Sequence, residues 1–194
     1  MTPHLNDAAR RVLEHVHRLD QEVVVVGVTR ADASGNRTLA SLLSPCVLST
    51  DRYLPDYDDL EEHEYDDPAH ADLERLATDL GDLRRGHAAT VPVWSFMTHR
   101  REGFEVLLPH RIVVCEGIHA LQIDAYDLRV FVEAPAPVRR ERVLGRERQE
   151  DRGWPLERVL RFFDTVAEPT FQAHEARYRA ASDVIVENPT TLPS

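Results

Sequence analysis

A three-layer α/β sandwich around a five-stranded parallel sheet is the fold class this sequence predicts, and three observations predict it. Five short runs, at 22–27, 46–49, 112–116, 128–132 and 183–187, are rich in valine and isoleucine without clear alternation, as strands buried on both faces should be. Helical patterns at roughly 36–43, 69–85, 136–150 and 155–178 separate them. Strands alternating with helices imply right-handed crossovers and a sheet covered on both sides. The 194 residues suffice for one well-packed domain and are too few for two comfortable ones.

Taken in order, residues 5–20 open the chain as an amphipathic helix, with Val12, Leu13, Val16 and Leu19 on one face. The first strand contains Val23-Val24-Val25-Val26 and leads through a loop into the helix at 36–43. Two segments, Thr90–Phe96 and Gly103–Pro109, break the rhythm and predict a hairpin inserted before the third core strand. The arginine-rich stretch from Arg139 to Arg152 predicts an exposed helix or lid. The tail from Asn188 to Ser194 is polar, carries two prolines and is expected to fray. With no internal repeat or low-complexity linker, 1–194 is a single domain with a hairpin insertion at 90–109 and a lid at 136–154.

Composition narrows the partners. A formal charge of −11 argues against a nucleic-acid or anionic-membrane surface, because phosphate backbones demand positive faces. Small anions would need a local arginine cluster. Cys46 and Cys115 each lie in an apolar run, so buried thiols in a reducing cytoplasm are expected. No apolar run approaches a membrane span, and Asp7, Glu14 and Asp20 spoil a signal peptide. The acidic run from Asp56 to Asp67 has no fixed ligand spacing and is expected to be a solvated loop; His15 and His17, two apart on a helix, face apart and are no metal pair. A metal site is not expected.

The loop after the first strand occupies the place of a phosphate-binding loop. Such a loop reads G-x-x-x-x-G-K-[ST], with lysine on the terminal phosphates and a hydroxyl on magnesium. Here that frame runs from Arg30 to Gly35, Asn36 stands in the lysine slot and Arg37 in the hydroxyl slot. All 23 basic residues are arginine, so no lysine elsewhere can substitute. Arginine is no isostere of lysine and cannot serve magnesium as a hydroxyl does. Asp32 places a negative charge among amides that would otherwise converge on phosphate. Ser34, Gly35, Thr38 and the helix N-terminus remain, enough for one phosphate or carboxylate. Magnesium–ATP is therefore not expected as a cofactor, and Arg30 and Arg37 should narrow this side of the cleft.

The motif order resembles uridine kinase and the related phosphoribulokinase-like P-loop kinases from about residue 22 to 188. Leu48-Ser-Thr-Asp-Arg-Tyr53 is similar to the family's second strand, which ends in an aspartate followed by an aromatic. Tyr65-Asp-Asp-Pro68 resembles F-D-x-P, and Val91–Arg101 resembles P-x-Y-D-F-x-x-H-x-R. Ile112–Ile118 resembles V-x-x-E-G-I, and Ser182–Val186 resembles A-D-V-I-[IV]. The resemblance implies a P-loop NTPase-type fold. It also implies Asp51 as the base for an acceptor hydroxyl, and Glu116 as the acidic residue that reaches magnesium or its water. Asp66, Trp94, His99 and Arg101 fall on positions that hold the nucleoside. Arg139, Arg142 and Arg146, spaced by three and four on one helical face, match lid arginines that close over phosphates. Departures from the pattern are Trp94 for tyrosine, Ser95 for aspartate, and Arg30, Ala31 and Ala33 for residues usually glycine.

Three functions stay open. The chain is a repurposed enzyme that keeps an acceptor site for a nucleoside or other hydroxylated small molecule and has lost its ATP half. Alternatively it is a kinase with an arginine-based donor site, or a non-catalytic binding protein on the same fold. The expected partner is a small molecule in one cleft lined by Asp51, Asp66, His99, Arg101 and Arg142, with Trp94 as a stacking face or an apolar wall; a homo-oligomer is compatible with the sequence.

Overall fold

The computed structural model describes residues 3–31, 33–147 and 153–189. Asp32, part of the lid stretch and the tail beyond Pro189 lie outside the described residues, as do the side chains of Asn36 and Arg146.

Five parallel strands form the sheet: β1 (Val24–Arg30), β2 (Cys46–Ser49), β5 (Ile112–Glu116), β6 (Leu128–Glu133) and β7 (Val184–Glu187), in the order β2-β5-β1-β6-β7. β3 (Ala89–Ser95) and β4 (Arg100–Leu107) form the separate antiparallel hairpin expected at 90–109. β1 is buried along its whole length. It runs three residues further than the apolar run suggests, because Thr29 and Arg30 still pair with Phe131 and Val132 of β6. Gly27 lies inside it where the Tyr126 ring crosses the strand; an added Cβ would sit within 2.8 Å of that ring.

Helices cover both faces. α1 (Pro3–Val16) and α2 (Asn36–Leu43) pack on one side, with Leu5, Ala8, Ala9, Val12 and Val16 meeting Leu39, Ala40 and the even-numbered side chains of β1, β5 and β6. α1 ends at Val16, short of residue 20, where the bond from Arg18 N–H to the His15 carbonyl tightens the last turn. α3 (Leu73–Arg84) covers the other face, burying Leu76, Leu80 and Leu83 against Val25, Val113 and Cys115. Cys46 and Cys115 are buried free thiols. α4 (Ala136–Glu147) follows β6.

The segment predicted as one helix over 155–178 is three pieces. α5 (Leu156–Phe162) gives way to a wide π turn at Phe163–Ala167 and then to α6 (Glu168–Ala181). Pro169 accounts for the break: it has no N–H to offer the carbonyl four residues back, and the backbone relaxes into a wider turn there. Among the described residues no helix is long and apolar enough to cross a membrane.

Candidate functional site

Parallel register decides which side chains meet at the carboxyl edge of the sheet. Glu116, the last residue of β5, pairs with Val28 of β1 on one side and Ser49 of β2 on the other. Arg30 stands two residues beyond Val28 on the same face, and Asp51 two beyond Ser49. Open α/β sheets bind ligands at this edge. Glu116 is 2% exposed, and burial raises its carboxyl pKa, with the nearby Asp51 charge pushing the same way. Arg30, the Ser49 hydroxyl and Arg37 oppose that rise. Asp51 is half-buried at the start of a 3₁₀ turn, its N–H directed at the Ser49 hydroxyl at 3.4 Å. The structure thus brings Asp51, Glu116 and Arg30 together.

The loop after β1 is braced by its own side chains. Arg30 is buried, and its guanidinium donates to the Ala31 carbonyl at 2.8 Å. Ser34, fully buried, also donates to the Ala31 carbonyl, at 2.9 Å. Asn188, arriving from the end of β7, donates to the Ser34 carbonyl at 2.7 Å. Gly35 is left-handed at φ 99°, and Ala33 adopts φ 59° without being glycine. Arg37 and Thr38 are exposed on the first turn of α2. Arg30 is buried on this side of the cleft, and Arg37, though exposed, lies near enough for its charge to act on Glu116.

The two described lid arginines are held by protein acceptors. Arg139 is 6% exposed, and its guanidinium makes a bidentate pair with Glu168, one arm at 2.7 Å, while Nε donates to the Ala134 carbonyl at 2.9 Å. Glu168 is held below the ordinary carboxylate range mainly by the hydrogen bond from Arg139. Arg142 donates to the Ala33 carbonyl at 3.1 Å and the Asn188 carbonyl at 3.0 Å, so it ties α4 to the loop. Of the arginines read as one face, Arg139 and Arg142 are engaged by protein acceptors, and the Arg146 side chain lies outside the described residues.

Opposite the loop, the nucleoside-type positions enter an aromatic cluster. Trp94 is buried and donates its indole N–H to the Pro55 carbonyl at 3.1 Å. Its ring meets Tyr57, Phe96 and His99 edge-on, the arrangement of an apolar wall, one of the two roles expected of it. His99 sits in the hairpin turn at φ 54°, its ring close to parallel with Tyr57 at 5.4 Å and with Trp154 at 4.5 Å, those two rings themselves 6.2 Å apart. Tyr65 stacks on Tyr57 at 3.8 Å and places the buried Asp66 directly after the cluster. Arg101 stands opposite Trp94 in the ladder, yet it is exposed at the rim, with its N–H on Asp56 at 2.7 Å and its guanidinium 3.9 Å from Asp72.

Trp154, Tyr57 and Phe162 escaped the sequence reading, because nothing in a charged stretch or an acidic run marks a ring as packed. The acidic run is also not wholly solvated. Glu62 accepts from Arg158 and Arg161 of α5, each at 3.0 Å, and Asp58 pairs with Arg100 of the hairpin. Arg158 lies 4.0 Å from the Trp154 ring centre. Gly153, at φ 77°, rests on the hairpin turn where a Cβ would collide with the Met97 carbonyl. His119, three residues past Glu116, is another residue that no motif singled out. It is 3% exposed, with Nε2 lacking a hydrogen-bond partner among the described residues, and burial lowers its pKa to about 4. Among the described residues no group of three or more His, Cys, Asp or Glu could hold a metal ion.

Comparison with known proteins agrees with this architecture. Residues 56–192 match the model of the Phosphoribulokinase / Uridine kinase family. A uridine kinase of Shewanella halifaxensis (strain HAW-EB4) is 30% identical over 187 residues, spanning 86% of this chain and 88% of the relative. A uridine kinase of Staphylococcus haemolyticus (strain JCSC1435) is 27% identical over 179 residues, spanning 84% and 86%. Among solved structures, a candidate fructose transport system kinase from Silicibacter sp. TM1040 superposes with TM-score 0.70 at 20% identity over 95% of this chain and 98% of its own. A candidate uridine kinase from Bacillus stearothermophilus superposes with TM-score 0.66 at 16% identity, covering 93% and 98%.

Proposed function

Because the chain belongs to the phosphoribulokinase/uridine kinase family, we propose that it is an enzyme of that descent which keeps the acceptor half of the site and works without ATP. The observation that carries this reading is the engagement of Arg139 and Arg142. The two described lid arginines that would clamp a phosphate are held by Glu168 and by the carbonyls of Ala33, Ala134 and Asn188. The residues present do not fit magnesium–ATP: Asn36 and Arg37 replace lysine and hydroxyl, and a buried Arg30 stands at the loop's first position.

In this proposal the chemistry falls to the two carboxyls. Two neighbouring acids whose surroundings separate their pKa values divide into an acid and a base. Glu116, whose carboxyl pKa burial and Asp51 push upward, serves as the proton donor to a substrate oxygen. Asp51, more open to water, accepts the proton of a substrate hydroxyl. The substrate is a hydroxylated small molecule with a planar portion, and nucleosides are the first class to test because the curated relatives are uridine kinases. Asp66 accepts from its hydroxyls, and the ligand reaches His99 by displacing Trp154.

The test is thermal denaturation with nucleosides, their phosphates and magnesium–ATP, since ligands of the native state raise its melting temperature by mass action. A nucleoside-class ligand should raise Tm while millimolar magnesium–ATP leaves it unchanged. Saturable micromolar binding of magnesium–ATP by calorimetry would overturn the proposal. It would favour phosphotransfer through an arginine-based donor site, the reading supported by Arg37 standing exposed at the start of α2. Stoichiometric co-purification of a protein partner, with no small-molecule ligand found, would favour a binding role instead.

A further inference from the structure

The β3–β4 hairpin buries one face and leaves the other bare. Ala89, Val91 and Leu107 pack into the core beneath α3, while Phe104, Val106 and Leu108 are 56%, 64% and 68% exposed. Those three recur at every second position, so they form one apolar row along β4 and the residue that follows it. A row of this kind, unlike a single exposed leucine, marks an interaction surface.

The strand edge beside that row is open as well. Antiparallel ladders alternate pairs that exchange backbone bonds with pairs that do not. The Thr90 carbonyl accepts from Arg75 and the Pro92 carbonyl from Arg52, so both point away from β4, and Pro92 has no N–H to give. Thr90 and Pro92 are therefore of the non-bonded type. So are their partners Val106 and Phe104, which turn N–H and C=O outward. Among the described residues nothing bonds to those outward groups. The β3 edge is capped by a proline and two arginines, which leaves β4 as the strand that can pair. Nearer the turn, the Arg101 N–H is already taken by Asp56 at 2.7 Å, and the open stretch ends there.

We propose that two copies of this chain pair antiparallel through β4, across a two-fold axis at Val106, into a four-stranded sheet. In this register Val106 exchanges both backbone bonds with the partner's Val106, and Phe104 lies opposite the partner's Leu108. All six apolar side chains then meet on one face. An axis one residue earlier would set Glu105 against the partner's Glu105, and like charges opposed destabilise a ladder. An axis at Phe104 would carry the pairing onto Arg101, which Asp56 closes. The net charge of −11 does not oppose the contact, because the charges beside the row are matched within the chain: Arg52 with Glu105, Arg75 with Asp79, Arg100 with Asp58. A charged segment of another protein would find no counter-charge there, whereas an apolar, self-complementary strand needs none. At roughly 100 Å² apiece the six side chains bury about 600 Å², below the ~1,200 Å² of standard stable interfaces, so the dimer is weak and reversible.

Sedimentation of the whole chain over a concentration series tests this. A monomer–dimer equilibrium is expected, dissociating in the micromolar to millimolar range and little changed by added salt. Val106→Lys should weaken it at least tenfold with Tm unchanged, since that side chain is exposed. Val106→Cys reads the register: bonded antiparallel pairs sit about 5.5 Å apart at Cα, within disulfide reach, so mild oxidation should give a covalent dimer. Thr90→Cys, exposed on the neighbouring strand, should not, and Cys46 and Cys115 are buried and do not compete. A chain monomeric up to millimolar concentration overturns the proposal. So does a dimer that Val106→Lys leaves intact, or one that Val106→Cys fails to cross-link. Binding of an extended, alternating valine–threonine peptide by a chain that stays monomeric would assign the edge to another protein, and would overturn it equally. No ligand enters the measurement, so the result is independent of the proposed function.

Discussion

Replacing Glu168 by alanine strips the Arg139 guanidinium of two of its three acceptors and leaves only the Ala134 carbonyl on Nε. The arginine side chain is 7% exposed. Leaving one partner of a buried ion pair uncompensated typically costs about 3–5 kcal/mol. For a domain of this size each kcal/mol moves Tm by about 2–4 °C, so a fall of roughly 6–20 °C is expected. Thermal and urea denaturation of Glu168→Ala, Arg139→Met and the double variant give the measurement, and the double variant should recover part of the loss. A loss under about 1 kcal/mol would be the value of a surface pair. That result would refute the argument that Arg139 is locked, and it would return this arginine to the pool available for phosphate.

Three further outcomes are expected. Asp51→Asn should lower turnover by about two to four orders of magnitude once the substrate is found, with Tm unchanged; unaltered turnover removes Asp51 from the mechanism. Glu116 binds its proton more tightly in the folded state than in the unfolded chain, so its contribution to stability is greatest below the ordinary carboxyl range and declines as pH rises through its raised pKa. Glu116→Gln should therefore raise Tm at neutral pH and flatten its dependence above pH 5, read by calorimetry across pH. His119 behaves oppositely: buried neutral with its pKa lowered to about 4, it costs stability as pH falls from its unfolded value near 6.5. That gap corresponds to about 3 kcal/mol, and His119→Leu should remove the acid sensitivity in that window.

The sheet was legible because burial on both faces leaves a compositional mark. The runs at 46–49 and 112–116 coincide with β2 and β5 to the residue. β1 was cut short because Thr29 and Arg30 are polar, and only pairing with β6 shows that they remain strand. Asp51 and Glu116 were found from their place at strand ends, a signal that parallel topology converts into proximity. The arginines were found too, but not their partners: Glu168 lies 29 positions from Arg139 in the chain, and no spacing rule links them. Trp154 and Glu62 were invisible for the same reason. Their roles are created by α5 folding back over the acidic loop, a long-range event with no local signature.

Two unlike fastenings hold that fold-back. One is ionic, Glu62 with Arg158 and Arg161, at positions where water and salt have access. The other is a matter of backbone shape, Gly153 seated on the Met97 carbonyl with Trp154 laid over His99. Rising ionic strength weakens the first and leaves the second almost untouched. The cover over His99 is thus graded by salt but not opened by it, and a single methyl group at Gly153 would do what no amount of salt could.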